Sequence, residues 1–243
     1  MKILLSPSES KQNPAEIIKC NERGVCLIDD VMWGGKNARN AHIQSYLSTL
    51  QNALDDELCK VFGTKRLSLE TLGLCSEILD SPRIQAIELY NGVAYKALDF
   101  CSLDSSAQGF LLDSVLITSN LFGLVRASDR LPFYHLNQNY KSSTLSLRKL
   151  YQAQQEEIDE FLSTEVDETI VDLRAQVYVK AYPIKLPHYT LNFPSRVSHQ
   201  AKYHRGLALR ELALFYASIV GMSDLAEKLR YYISTNFAYS TSC

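Results

Sequence analysis

Near the start of the chain, Ser6-Pro7-Ser8-Glu9-Ser10-Lys11 packs three hydroxyls, a carboxylate and an ammonium into six residues. Such a set can donate hydrogen bonds to an anion and exchange a proton. It can equally close on itself as a polar turn capped by its own serines, and no glycine-rich phosphate cradle accompanies it. Glu9 is the candidate acid or base of this loop; Ser8 and Lys11 are its candidate anion ligands.

Three further groups have comparable chemistry. Arg126 and Asp129 follow Gly123 in Leu121–Tyr134. The pair suits a local salt bridge on the surface, or an arginine aimed into a cleft to take a phosphate or carboxylate through two hydrogen bonds. Asp172 and Arg174 close an apolar run, with Tyr178 about one helical turn beyond. Asp172 there can act as acid or base, or can simply pair with Arg174 or cap a helix. Ser198-His-Gln-Ala-Lys202-Tyr-His-Arg205-Gly206 reads as a helix start, with Ser198 as N-cap and Lys202 and Arg205 three apart on one face. Two like charges side by side suit a bound anion at a helix N-terminus, although a solvated basic face has the same pattern.

The last two groups lie in an unusual stretch. From Leu173 to Arg210 there are 38 residues without one Asp or Glu, and seven that are Lys or Arg. The chain holds 25 basic and 27 acidic residues, so the remainder has 25 − 7 = 18 basic against 27 acidic. A net charge of −2 therefore hides a +7 segment attached to a −9 remainder. Charge segregated in this way invites an anionic partner.

These residues need elements to hold them. Ile3 to Leu5 reads as a short buried strand ahead of the polar loop, the place where α/β proteins put chemistry. Val115 to Thr118 is an apolar run suited to a central strand, Thr169 to Leu173 another, and Tyr189 to Phe193 alternates like a half-buried strand. Helical spacing appears over 39–54, 68–79, 143–163, 203–219 and 223–233, and Ser81-Pro82 is a good helix start. Strands and helices mixed along the whole length, with no linker or repeat, predict a single α/β domain over 1–243 built on a mixed sheet flanked by helices.

Composition narrows the class. Hydrophobic residues at 46% and charged residues at 21% are ordinary globular values. No apolar run approaches the roughly 18 residues that cross a bilayer, and the first apolar stretch, three residues long, is too short for a signal-peptide core. A cytoplasmic location with no membrane partner is expected. The six cysteines are scattered without a C-x-x-C pair, the pattern of mostly buried free thiols rather than disulfides or structural zinc. No H-E-x-x-H, G-x-G-x-x-G or G-x-S-x-G is present, and His199 and His204 are five apart, the wrong spacing for two ligands on one helical face. Nothing here calls for a metal or a cofactor, and no obligate protein partner is evident.

Taken together, LLSPSESK (4–11), IELYNGVAYKALDF (87–100), LITSNLFGLVRASDRLPFY (116–134), VDLRAQVYVK (171–180) and SHQAKYHRG (198–206) resemble the peroxide-stress protein YaaA family of bacterial cytosolic proteins. The segments occur in the family's order and spread over nearly the whole chain. Each is weakly specific and the set of five is strong. The opening is similar to the family's Ser-Glu-x-Lys variant, with Ser10 where that variant often has glycine. The resemblance implies an α/β fold with a positively charged cleft, double-stranded DNA binding with a helix-hairpin-helix-like element, and a role in limiting oxidative damage and free iron under hydrogen peroxide. It brings no defined reaction. Carried over by position, it lines the cleft with Ser8, Glu9, Lys11, Tyr90, Arg126, Asp172, Arg174, Ser198, Lys202 and Arg205.

Two functional classes follow. One is a DNA-binding protective protein whose basic segment contacts backbone phosphates. The other is an enzyme acting on a phosphate- or nucleobase-containing substrate in the same cleft, since a purely electrostatic surface needs no Glu9, Asp172 or Tyr178. Direct iron sequestration is a weaker third reading, because no spacing of two His and a carboxylate is visible.

Overall fold

The computed structural model describes residues 1–15, 36–163, 169–191 and 198–240. Its centre is a six-stranded sheet in which β1 (Lys2–Leu5) lies between β3 (Val115–Ser119) and β6 (Ile170–Leu173), parallel to both. β4 (Gly123–Arg126) runs antiparallel at the β3 edge. β7 (His188–Thr190) continues in parallel beyond β6, and β8 (Ala238–Ser240) closes that side antiparallel. The mixed α/β architecture expected from the residue pattern is thus present.

Strands buried on both faces must be apolar at successive positions rather than alternate ones. β1 meets that requirement: Ile3 and Leu5 join one core cluster while Leu4 joins the other. Ile117 and Leu116 divide in the same way on β3. Flanking helices include α1 (Lys36–Asn52), α2 (Asp55–Phe62), α3 (Leu69–Ser76) and α6 (Ser105–Ser114). The clusters are completed by α7 (Leu147–Ala153), α8 (Gln155–Ser163), α10 (Ser198–Ile219) and α11 (Leu225–Asn236).

The strand order carries a functional consequence. β1 connects onward to the β3 side of the sheet, whereas β6 connects onward to β7 on the opposite side. Neighbouring parallel strands whose exits diverge leave a crevice beyond their carboxyl ends, and ligands of open α/β sheets bind in such crevices.

Several local expectations change. Ser81-Pro82 does not start a helix. It precedes β2 (Arg83–Gln85), which pairs antiparallel with β5 (Arg130–Pro132), so cross-chain pairing of Ile84 with Leu131 overrides the local cap signal. Ser81 instead donates from Oγ to the Glu77 carbonyl at 2.7 Å. The 143–163 helix begins later and divides at Gln154 into α7 and α8, with Ser146 capping the first by accepting from Lys149 N. Of the cysteines, Cys75 is buried, Cys59 half-buried and Cys101 exposed, all three free thiols. One of these three is thus fully buried, and Cys20, Cys26 and Cys243 lie outside the described residues. No described helix is long and apolar enough to cross a membrane.

Candidate functional site

A cavity of about 460 Å³ occupies the crevice beyond β1 and β6. Leu5 to Ser10 form one side, and Ala175 with Val177 and Tyr178 from α9 (Gln176–Ala181) form another. The start of α5 (Val93–Leu98) and Gln138 contribute further surface, and Lys202 and Arg205 reach in from α10. Hydrogen bonds tie the two strand exits together. Ala175 N donates to Ser6 Oγ at 2.7 Å, Tyr95 donates from its hydroxyl to the Ser6 carbonyl at 2.9 Å, and Thr118 donates from Oγ1 to the Leu5 carbonyl at 3.1 Å.

The polar loop is zipped onto the segment before α5. Gln12 N donates to the Leu89 carbonyl at 2.8 Å and Asn91 N to the Ser10 carbonyl at 2.9 Å, with Lys11 and Tyr90 paired as an isolated antiparallel bridge. Gly92 suits this contact, because a Cβ there would lie 2.1 Å from Ser8 Oγ and 2.9 Å from Ser8 Cβ and would force the serine to shift. Ser8 and Glu9 consequently border the cavity, Ser8 half-buried and Glu9 exposed.

Lys11 and Tyr90 lie behind that loop rather than in the cavity lining. Lys11 Nζ donates to the carbonyls of Ser8 at 3.0 Å and Glu9 at 3.3 Å, and sits 4.3 Å over the Tyr134 ring centroid and 5.5 Å from that of Tyr90. Burial removes water from the ammonium and lowers its pKa to about 7, against smaller opposing attractions from Cys75 and Glu9. The Tyr90 and Tyr134 hydroxyls are 2.8 Å apart, and Tyr134 is also 2.8 Å from Ser119 Oγ. Burial pushes the Tyr134 phenol up to about 12, so this chain stays neutral at ordinary pH.

On the opposite wall, Gly206 lets α10 press against α5, since a Cβ at that position would run into the Ala94 carbonyl oxygen. The close approach carries Arg205, one residue earlier, to the cavity. Arg205 is half-buried, with its pKa lowered by burial against the attraction of Asp172. Lys202 is exposed at the same wall. Ser198 opens α10, and its side chain lies outside the described residues.

Two expected members are sequestered. Asp172 and Arg174 form a buried bidentate pair, Nε to Oδ1 and Nη2 to Oδ2 both at 2.8 Å. Arg174 N also donates to Oδ1 at 3.0 Å, Nη1 donates to the Tyr182 carbonyl at 2.9 Å, and the guanidinium stacks 5.6 Å from the Tyr182 ring centroid. Both residues are below a tenth exposed, at 7% and 4%, and neither borders the cavity. Arg126 is not brought to the cavity either. It pairs with Leu116 while Gly123 pairs with Ser119, which places it three residues, about 10 Å, toward the other end of the sheet. Its backbone N donates to Asp129 Oδ2 at 2.8 Å. Burial raises that carboxyl to about 6, against the Arg126 N–H bond and the nearby guanidinium groups of Arg126 and Arg39.

Sequence reading missed Gly92, Tyr95 and Gln138 as parts of the site. Gly92 and Tyr95 lie inside a quoted segment, whereas Gln138 belongs to none. The Tyr178 hydroxyl is 2.8 Å from Asn120 Oδ1 and 3.1 Å from Gln138 Oε1, yet it has one proton to donate. Asn120 donates its own amide to the Leu136 carbonyl at 2.8 Å, which fixes its oxygen toward Tyr178. The consistent arrangement turns Gln138 so that its NH₂ donates to the phenol, leaving its carbonyl for a ligand. Among the described residues no group of three His, Cys, Asp or Glu side chains is placed to hold a metal ion.

Comparison with known proteins decides the family. The family model described as "Peroxide stress protein YaaA" matches residues 1–232. The chain belongs to the YaaA peroxide stress protein family. It is 36% identical over 213 residues to an uncharacterized protein of Campylobacter jejuni subsp. jejuni, covering 86% of this chain and 83% of that one. It is 31% identical over 194 residues to a UPF0246 protein of Streptomyces coelicolor, covering 72% and 73%. A UPF0246 protein of Corynebacterium glutamicum is 32% identical over 180 residues, covering 70% and 71%. For this YaaA-family chain, the cavity between the β1 and β6 exits is the candidate site.

Proposed function

We propose that this YaaA-family chain is a cytoplasmic protein that binds double-stranded DNA at the cavity face and limits iron-dependent oxidative damage under hydrogen peroxide. The observation that carries the reading is the pairing of Lys202 and Arg205 on one wall of α10 at the cavity, with Glu9 the one acid in the lining among the described residues. Arg174 is committed to Asp172 and Lys11 to backbone carbonyls, so the phosphate-binding face is narrower than the acid-free run suggests. With two cations, two phosphates are neutralised, and log affinity for B-DNA should fall with log salt at a slope of about −1.8. Replacing both Lys202 and Arg205 by Ala should weaken duplex binding and bring that slope close to zero. An unchanged slope in the double variant removes this face from consideration.

A second reading, an enzyme acting on a phosphate- or nucleobase-containing substrate, draws on Glu9 in the lining and on Lys11, poised near pH 7 beneath the same loop. Glu9→Gln distinguishes the two. Retained DNA affinity with lost protection from peroxide favours the enzyme, and full protection speaks against it.

A further inference from the structure

The cavity is too small for a duplex and well sized for part of one. At about 460 Å³ it is about 8 Å across when taken as a cube, narrower than the roughly 12 Å major groove of B-DNA. It falls within the roughly 300–1,000 Å³ range of small-molecule sites. Its lining is also chemically divided. Lys202 and Arg205 offer positive charge on one wall, while Val177, Tyr95 and Tyr178 give aliphatic and aromatic surface, and Gln138 joins the loop serines as a neutral polar reader. Tyr178 holds the Gln138 amide in place, and the amide retains a carbonyl that can accept from a base edge. Glu9 adds a carboxylate that can accept from a ring N–H or an exocyclic amine. A cation pair beside a chamber with aromatic surface and polar groups that can read an edge matches the two ends of one nucleotide.

We infer that the cavity holds a single nucleotide, its phosphate against Lys202 and Arg205 and its base inside against Tyr178 and Gln138. The inference rests on the assignment of Lys202 and Arg205 as phosphate ligands. The nucleotide has two possible sources, a free nucleoside monophosphate or an unpaired nucleotide swung out of a strand, which costs least where the base is mismatched or already single-stranded.

The test is a binding titration with the four deoxynucleoside 5′-monophosphates, the matching nucleosides and inorganic phosphate. It runs beside a duplex carrying 2-aminopurine at a mismatch. At least one monophosphate should bind, with its nucleoside and inorganic phosphate each at least tenfold weaker. Val177→Trp, which fills the interior, should reduce that affinity at least tenfold. Gln138→Leu is the gentler variant and should erase preference among the four bases while keeping phosphate-dependent binding. A rise in 2-aminopurine fluorescence on binding identifies a strand as the source. Monophosphate binding without that rise identifies the free nucleotide.

The proposal falls if no monophosphate binds at millimolar concentration and the 2-aminopurine signal stays flat while the protein still retards the duplex; DNA binding would then stand alone. It also falls if inorganic phosphate competes as well as the nucleotide, or if neither variant alters nucleotide binding. Tight monophosphate binding with no duplex binding at low salt would instead overturn the DNA reading and leave the nucleotide site standing.

Discussion

Arg174 and Arg205 both come from the acid-free run and both lie near the Asp172 carboxylate, yet they serve different ends. Arg174 is 4% exposed and spends its guanidinium on Asp172 and the Tyr182 carbonyl. Arg205 is half-buried on the cavity wall, and burial lowers its pKa while Asp172 opposes the shift. A buried arginine whose geometry is complete belongs to the scaffold. One that is partly desolvated beside an open cavity can still gain from an anion. The difference separates fold from site, and each prediction below tries to collapse it.

The largest effect should come from Asp172→Ala. Removing one partner of a buried pair leaves an uncompensated charge and costs about 3–5 kcal/mol. Chemical denaturation should register that loss, whereas Arg205→Met, at a half-buried position on the cavity wall, should cost clearly less. Equal losses in the two variants would erase the distinction. Next in size, Gly206→Ala forces a Cβ against the Ala94 carbonyl oxygen, and overpacking of this kind costs about 1–3 kcal/mol. It should also displace Arg205 and weaken duplex binding more than its stability cost explains. An unaltered affinity would mean that the α10–α5 contact does not position the site.

A third effect is a pH dependence. The folded pKa of Lys11 lies near 7, below its value in the unfolded chain. Above pH 7 the unfolded chain therefore binds more protons at this residue, and stability rises with pH from about 7 toward about 10. Wild type measured against Lys11→Met should show that rise across this window. A flat difference would place the Lys11 ammonium in a wetter setting than its contacts with Tyr134 and Tyr90 indicate.

Much of this organisation was legible in the sequence. The Ile3–Leu5 strand, the polar loop after it and the central Val115 strand are set by short apolar runs and their punctuation. Lys202 and Arg205 were legible as a pair because helical spacing fixes their common face. What spacing could not show was pairing across the chain. The acid-free run meets distant acids in space: Lys185 bonds Asp159 at 2.7 Å, and Arg210 approaches Asp99 at 3.9 Å while donating to the Leu98 carbonyl, whereas Arg174 takes its near neighbour Asp172, a pair the sequence did offer. The contrast of +7 against −9 is therefore dissolved in good part by the fold. Arg126 misled for a related reason, since the antiparallel return of β4 carries it away from the strand exits. Gln138 was invisible because its role depends on Tyr178 and Asn120, 40 residues ahead and 18 residues back.

The most direct test of the central claim is a DNA-binding salt titration of wild type, the Lys202→Ala/Arg205→Ala double variant and Arg126→Ala in parallel. The account predicts a slope of about −1.8 for wild type, the same slope for Arg126→Ala, and one close to zero for the double variant. A slope flattened by Arg126→Ala and untouched by the double variant would place the binding face at the other end of the sheet.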